Sequence, residues 1–331
     1  MNTNEKNPLK VGLIGCGWMG SMHAEAWMRM KDTATLAAIA DRNTERAGEL
    51  AALCDARVYA DAKEMLANES LDVVDICTPT SLHAPFLLMA MDYVRDIVVE
   101  KPLCLTVEET DTLLAAQEKT GTRVQVAHIS RFNPEYEYLA NAVHSKKYGK
   151  LLSAQLYRLS PPPLWMRGFD DESFTGGMAL DFHIHDVDFV RYLMGGTDPD
   201  ALFSHGAVHE DGVIRHIWTA YHYGDARLFT EASWYHPTNV RGFTVKLEEA
   251  TLILEGGTLT VYPKEGEPFV PALPKISDAP VPTFPDKIFY ELSHFADAIL
   301  KNGAPLVSLA DAAGAIRLAK REIAMVKEAQ R

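Results

Sequence analysis

The stretch Val11-Gly12-Leu13-Ile14-Gly15-Cys16-Gly17-Trp18-Met19-Gly20-Ser21 decides the fold. An apolar run with no polar interruption reads as a strand buried on both faces, and a helical pattern opens near Ser21 directly after the third glycine. The three glycines between strand and helix serve different ends. Gly15 permits the tight turn, Gly17 lets backbone amides approach a pyrophosphate, and Gly20 allows helix and strand to pack closely. A second candidate strand ends at Asp41, about 21 positions after Gly20. There a carboxylate can accept hydrogen bonds from both hydroxyls of an adenosine ribose. This combination predicts dinucleotide binding at Gly15, Gly17, Trp18, Met19, Gly20 and Asp41. Asp41 would repel a 2'-phosphate, which favours NAD over NADP, while Arg42 is placed to stack on adenine or partly neutralise such a phosphate.

Outward from this stretch, short β-branched runs alternate with amphipathic helical stretches, the pattern of a parallel sheet wound by crossover helices. Strands are expected at Lys10 to Ile14, Leu36 to Ala40, Val73 to Cys77, Ile97 to Val99 and Arg123 to Ala127. Helices are expected at Ser21 to Met30, Thr44 to Leu53, Ser81 to Met91 and Thr106 to Lys119. The pattern changes near Ile129, with a helix from Pro134 to Ser145, a strand from Leu151 to Leu159 and the cluster Pro161 to Pro163. From Ala201 to Tyr262 alternating runs are separated by Asp211-Gly212, Gly224-Asp225 and Gly256-Gly257, which predict hairpins and an antiparallel sheet. Pro263 to Pro285 reads as a loop or edge-covering segment, and Lys287 to Leu300 and Leu309 to Lys327 as closing helices. The expected organisation is α/β, an N-terminal Rossmann-type doubly wound parallel sheet over 1–128, followed by an α+β domain over 129–331 with a mostly antiparallel open sheet for substrate binding and oligomerisation.

The 331 residues exceed one small core, and 47% hydrophobic with 23% charged residues excludes a disordered, collagenous or coiled-coil chain. A formal charge of -13 disfavours nucleic-acid binding. No apolar run is long enough to span a bilayer and Met1 to Lys10 is polar, so the expected compartment is the cytoplasm, without membrane partners. Cys16, Cys54, Cys77 and Cys104 match neither a zinc nor a disulfide spacing and read as reduced thiols.

Thr78-Pro79-Thr80 follows one strand and Glu100-Lys101-Pro102 the next, at carboxyl ends where open α/β sheets take their ligands. With the glycine triplet, Asp41 and His83, these motifs resemble the glucose-fructose oxidoreductase, inositol dehydrogenase and rhizopine-catabolism (Gfo/Idh/MocA) family. The run Gly176-Gly177-Met178-Ala179-Leu180-Asp181-Phe182-His183-Ile184-His185-Asp186 resembles that family's second signature. The resemblance implies a cytoplasmic, homodimeric or homotetrameric sugar, polyol or cyclitol dehydrogenase that uses NAD, with NADP possible. It further implies that Thr78, Pro79, His83, Glu100 and Lys101 join the cofactor site, and that Lys101, Asp181 and His185 form the catalytic triad. The other readings are an NAD-requiring glycoside hydrolase on the same scaffold and a non-enzymatic sensor of NAD and sugar; retention of all three triad residues counts against the sensor.

Asp181, His185 and Asp188 lie at i, i+4 and i+7, so a regular helix would set them on one face. Hydride transfer to nicotinamide needs a base for the hydroxyl proton, which suits His185, with Asp181 to orient it and Lys101 to stabilise alkoxide charge. His183 points elsewhere and reads as a hydrogen-bonded core histidine. A metal held by His183, His185, Asp186 and Asp188 is the rival reading, disfavoured by their scattered directions, and no metal is expected. Asp188, Tyr157, Trp165, Tyr235 and His236 are candidate substrate contacts, the aromatic ones for their flat apolar faces with polar tips. Ser130-Arg131-Phe132 departs at Ser130 from the basic pair that family members often carry, and His183 stands where members have a small or aliphatic residue.

Overall fold

A computed structural model describes residues 7–166, 168–278 and 282–330; residues 1–6 of the polar start and 279–281 of the proline-rich segment lie outside the described residues. The chain divides into two compact units, Met1–Cys104 with Glu108–Ile129 and Ile276–Ala310, and Leu105–Val107 with Ser130–Lys275 and Asp311–Arg331.

The first unit is built on β1 (Leu9–Ile14), β2 (Ala34–Ala40), β3 (Arg57–Tyr59), β4 (Val73–Ile76), β5 (Asp96–Glu100) and β6 (Arg123–Ala127). They form one sheet in the order β3-β2-β1-β4-β5-β6, and the neighbouring strands pair in parallel. Strand order reverses between β1 and β4, which makes the carboxyl ends of those strands the switch point of a doubly wound sheet. The crossovers are α1 (Trp18–Arg29), α2 (Thr44–Ala51), α3 (Ala62–Asn68), α4 (His83–Ala90) and α5 (Val107–Thr120). Central β4 and β5 are buried along their whole length, as helices on both faces require.

The second unit starts with α6 (Pro134–His144) and β7 (Leu151–Leu159), followed by a π-helix at Met178–Phe182 and α7 (Ile184–Leu193). Six more strands complete its sheet: β8 (Ala201–Val208), β9 (Ile214–Tyr223), β10 (Ala226–Ser233), β11 (Val240–Leu247), β12 (Ala250–Glu255) and β13 (Thr258–Pro263). Their order is β13-β12-β11-β7-β10-β9-β8, antiparallel except for the β7–β10 pair. The hairpins fall at the expected glycine pairs, where Gly212, Gly224 and Gly256 take φ of 83°, 55° and 56°. One face of this sheet buries Leu156, Ile217, Tyr221, Leu228, Phe243, Val245, Leu252 and Val261, while Phe203, Trp218 and Phe229 stand exposed on the other.

The chain then returns to the first unit in α8 (Phe284–Leu300) and ends in the second with α9 (Leu309–Glu328). A single division after 128 misses this return. Its cause is legible in the packing: Ile288, Leu292, Phe295 and Ala296, at helical spacing, share one core with Val11, Leu13, Ala24 and Trp27. Thr283 and Asp286 close a capping box at the start of α8. The elements that the sequence pattern does not announce, β3 and α3, are three and seven residues long; β3 has no buried position to leave an apolar signal. All four cysteines are free. Among the described residues no helix is long and apolar enough to cross a membrane.

Candidate active site

The glycine loop has the shape its sequence requires. Gly15 sits at φ 91°, and a Cβ there would lie 2.7 Å from the Cys77 carbonyl oxygen. A Cβ on Gly20 would lie 2.0 Å from the Gly15 carbonyl oxygen, so α1 can begin against β1 only with glycine there. Around Gly17 nothing lies within 4 Å of the corresponding position. That open space is at the amino end of α1, whose first turn carries no acidic side chain and whose cap residue offers no side-chain acceptor. The first amides of a helix have no partner within the helix, so such a helix start beside open space suits an anionic pyrophosphate. Trp18 is exposed and stacks on Phe284, ring centroids 5.4 Å apart.

Asp41 follows β2 and is tied to the loop, its Oδ2 accepting from the Cys16 amide at 2.8 Å and its Oδ1 from the Asn43 amide at 2.8 Å. Burial alone would raise its carboxyl pKa, but these two amides, with Arg46, hold it below the usual carboxylate range. The Arg46 guanidinium donates to Oδ2 at 3.0 Å, and burial and Asp41 push the Cys16 thiol up to about 11, so it stays protonated. Sequence reasoning misses Arg46; its position five residues past Asp41, in the first turns of α2, is the signal that could find it. The neighbouring Arg42 is exposed.

At the carboxyl ends of β4 and β5 the two motif turns are stapled together. His83 is buried, with Nδ1 2.8 Å from the Pro102 carbonyl oxygen and Nε2 2.8 Å from that of Thr78. Burial pushes its imidazolium pKa down, and the neutral ring donates to one of those carbonyls at a time. His83 is therefore a positioning residue rather than a cofactor contact. Glu100 is likewise buried, hydrogen-bonded to His23 and to the Lys101 amide, so it too acts through its neighbours. Pro79 is exposed, Lys101 is partly exposed, and the Lys101-Pro102 bond is cis. Thr78 Oγ1 is buried without a hydrogen-bond partner among the described residues. That orphaned hydroxyl, the space at Gly17 and the bare helix start are together what a bound dinucleotide would satisfy.

In the second unit Gly176 and Gly177 both have positive φ, 91° and 66°, and lead into the π-helix that carries Asp181. Met178 and Ala179 of this helix pack with Ile214, Ile217, Ala232 and Trp234. The regular helix begins only at Ile184, so the i, i+4, i+7 face expected for Asp181, His185 and Asp188 does not form. Asp181 and His185 are partly exposed, but Asp188 is fully buried. Its two oxygens accept from Arg131 Nη2 at 2.7 Å and Nε at 2.9 Å, which corrects its reading as a substrate contact.

Asp186 is held in the same way by Arg158, whose Nε is 3.0 Å from Oδ2. His183 is buried with Nε2 2.9 Å from Glu322 Oε2 and Nδ1 3.9 Å from Asp186, the second too long for a hydrogen bond. Burial opposes its protonation, yet Asp186 and Glu322 push its pKa up to about 9. Three of the four side chains weighed as metal ligands thus each have a different protein partner.

The aromatic candidates separate. Tyr157 lies on the sheet face opposite Arg158, over Gly242 of β11, because strand neighbours alternate; it is not on the face that packs α7. Trp165, Tyr235 and His236 come from the loops that follow β7 and β10, strands that end side by side at Leu159 and Ser233. Trp165 and Tyr235 are exposed, and His236 Nδ1 is 2.7 Å from the Thr238 carbonyl oxygen.

Residues 9–128 match the family model described as "Oxidoreductase family, NAD-binding Rossmann fold", and residues 136–253 match the GFO/IDH/MocA C-terminal domain. A myo-inositol 2-dehydrogenase of Thermotoga maritima is 30% identical over 209 residues, 62% of this chain and 60% of that protein. A UDP-N-acetylglucosamine 3-dehydrogenase of Acidithiobacillus ferrooxidans is 28% identical over 294 residues, 88% of each chain. Among solved structures, levoglucosan dehydrogenase in complex with NADH and levoglucosan superposes with a TM-score of 0.88 at 22% identity, over 97% of this chain and 98% of that one, a likeness of fold.

Proposed function

Because the chain belongs to the Gfo/Idh/MocA family of NAD-binding oxidoreductases, we propose that it is an NAD-dependent dehydrogenase of a sugar, polyol or cyclitol hydroxyl. One observation carries this reading: the glycine loop, Asp41, Thr78 and the turn bearing Lys101 all lie at the carboxyl ends of neighbouring parallel strands. Named relatives that dehydrogenate an inositol and a nucleotide sugar support the substrate class. Bound NAD supplies the hydride acceptor. The chain's own residues do the rest. His185 takes the hydroxyl proton, Asp181 orients it and stabilises its charged form, and the Lys101 ammonium polarises the alcohol oxygen and stabilises developing alkoxide charge. Asp41 receives the ribose hydroxyls, and its carboxylate favours NAD; Arg42 and Arg46 temper that preference against NADP. Trp165, Tyr235 and His236 are proposed to meet the sugar or polyol.

The test is a spectrophotometric screen at alkaline pH with inositols, hexoses, sugar acids and aminosugars, offered NAD and NADP separately. Reduced cofactor formed from at least one polyol is the expected outcome. Glycoside cleavage with no net NADH would transfer the assignment to an NAD-requiring hydrolase. Lys101→Met is expected to retain NADH binding and lose at least about a hundredfold in turnover; turnover equal to wild type would refute the triad.

We further propose a homo-oligomer assembled through the outer face of the second unit's sheet. Phe203, Ala220 and Phe229 stand in one cross-strand row there, with Trp218 in the next. Such a row of aromatic side chains is more apolar than a solvated sheet face usually is.

A further inference from the structure

Behind the glycine loop a buried chain of polar groups runs from α1 to the turn that bears Lys101. His23 Nδ1 lies 2.9 and 3.1 Å from the two carboxylate oxygens of Asp75, and its Nε2 lies 3.0 Å from Glu100 Oε1. Trp27 Nε1 donates to Asp75 Oδ2 at 2.7 Å and the Cys77 thiol to Oδ1 at 3.4 Å. The remaining Glu100 oxygen accepts the Lys101 amide at 2.9 Å. All of these side chains are buried. Asp75 lies within β4 and Glu100 ends β5, so the chain leads outward to the carboxyl edge of the sheet.

Carboxylates only accept hydrogen bonds, and both ring nitrogens of His23 face one, so both carry protons. Burial alone would favour the neutral ring; Asp75 overcomes it and holds the imidazolium well above its ordinary pKa. Burial would also protonate Glu100, but His23, with Lys101 beyond it, keeps its carboxyl below the usual range. Burial pushes the Cys77 thiol up, so it remains a neutral donor. Two carboxylates against one imidazolium leave one net negative charge. His23, Asp75 and Cys77 also have their ligand atoms within 4.8 Å of one another, as a cation site would. However, the Trp27 N–H and Cys77 S–H both point at Asp75, and donors so aimed mark an anion that is already hydrogen-bonded.

We propose that the His23–Asp75–Glu100 cluster is a built-in negative charge that lowers the Kd for NAD+ relative to NADH. The proposal rests on the reading of the chain as a nicotinamide-dependent dehydrogenase. The two nucleotides share their phosphates and differ by the positive charge of the oxidised pyridine ring, so a fixed anion near that ring enters their affinity ratio directly. Lys101 brings an ammonium to the same strand ends, which would disfavour the oxidised ring. Glu100, its chain neighbour, offsets that ammonium. The cluster therefore lets a cationic side chain serve the alcohol oxygen while the site still accepts a cationic cofactor.

Calorimetric titration of the full chain with NAD+ and with NADH separately tests this. At an effective dielectric constant of about 25 to 50, one unit charge about 10 Å from another changes binding by roughly three- to tenfold. Glu100→Gln is expected to weaken NAD+ relative to NADH by that factor, and Asp75→Asn to move the ratio in the same direction. Trp27→Phe removes a hydrogen-bond donor to Asp75 without removing a charged group, and is expected to keep the wild-type ratio. A purely structural cluster would weaken both nucleotides together and leave every ratio unchanged. A ratio within about twofold of wild type in whichever of the two charge-removing variants folds, or one moved toward NAD+, overturns the inference alone. A wild-type chain that binds neither nucleotide overturns the dehydrogenase reading and the inference with it.

Discussion

Gly17→Ala and Gly20→Ala, three residues apart in one loop, are expected to fail in opposite ways. At Gly20 the new methyl carbon would stand 2.0 Å from the Gly15 carbonyl oxygen and 2.9 Å from its carbon. Ordinary contact begins near 3.4 Å, so α1 and the β1 turn must part by about 1.4 Å, the difference between the two distances. The clashing atom is backbone and cannot rotate away. Overpacking of this kind costs roughly 1–3 kcal/mol, against which alanine's better helix propensity returns at most about 1. At Gly17 the backbone sits at φ -67°, which alanine adopts freely, and no atom lies within 4 Å of the added carbon. Stability there should change by less than about 1 kcal/mol. The methyl instead occupies the space through which the loop amides would reach a pyrophosphate, so NADH affinity should fall at least tenfold, about 1.4 kcal/mol. Urea unfolding and NADH fluorescence titration separate the two outcomes. Gly17→Ala binding NADH as tightly as wild type would refute the cofactor reading of the loop; Gly20→Ala with an unchanged urea midpoint would refute the packing argument.

Arg131→Met should destabilise the second unit by about 3–5 kcal/mol, because it strands the Asp188 carboxylate in a buried site; thermal unfolding checks this, and Arg131→Met/Asp188→Leu should recover most of the loss. His183 carries a folded-state pKa of about 9 against an ordinary 6.5. Its contribution, roughly 3 kcal/mol, is therefore fully present below about pH 6.5 and lost as pH rises through about 9. Urea midpoints across that window should fall in wild type and flatten in His183→Gln. Phe229→Lys on the exposed sheet face should leave the fold intact and convert the proposed oligomer to a chain sedimenting at 36.7 kDa; a wild-type chain already of that mass at micromolar concentration would reject the assembly.

Much of this architecture is written in local sequence. The parallel strands are apolar runs because both faces are covered, and Leu151–Leu159 has the bounds its alternation implies. The hairpin glycines fix three turns by their backbone freedom alone. The return of α8 to the first unit is hidden, since its apolar stripe shows that the helix packs on something without showing on what. The buried charges are hidden for a related reason. His23, Asp75 and Glu100 come from three separate elements, and nothing in their spacing reveals that one imidazole lies between two carboxylates.

The second signature shows where periodicity misleads. Reading Asp181, His185 and Asp188 as one face assumes 3.6 residues per turn throughout, but the wider π turn at Met178–Phe182 breaks that phase before α7 starts. What then fixes α7 is a set of ionic partners from other elements: Arg131 on Asp188, Arg158 on Asp186 and Glu322 on His183. The two departures from the family pattern make sense in this setting. Arg158 Nη2 lies 3.2 Å from Ser130 Oγ, so a second basic side chain at 130 would meet a guanidinium, whereas the serine hydroxyl accepts its hydrogen bond. His183, where the resemblance leads one to expect a small or aliphatic residue, joins Glu322 of α9, itself hydrogen-bonded by Tyr221 of β9, to the segment between Asp181 and His185. Arg131, Arg158 and His183 thus hold the backbone between and after the two proposed catalytic residues.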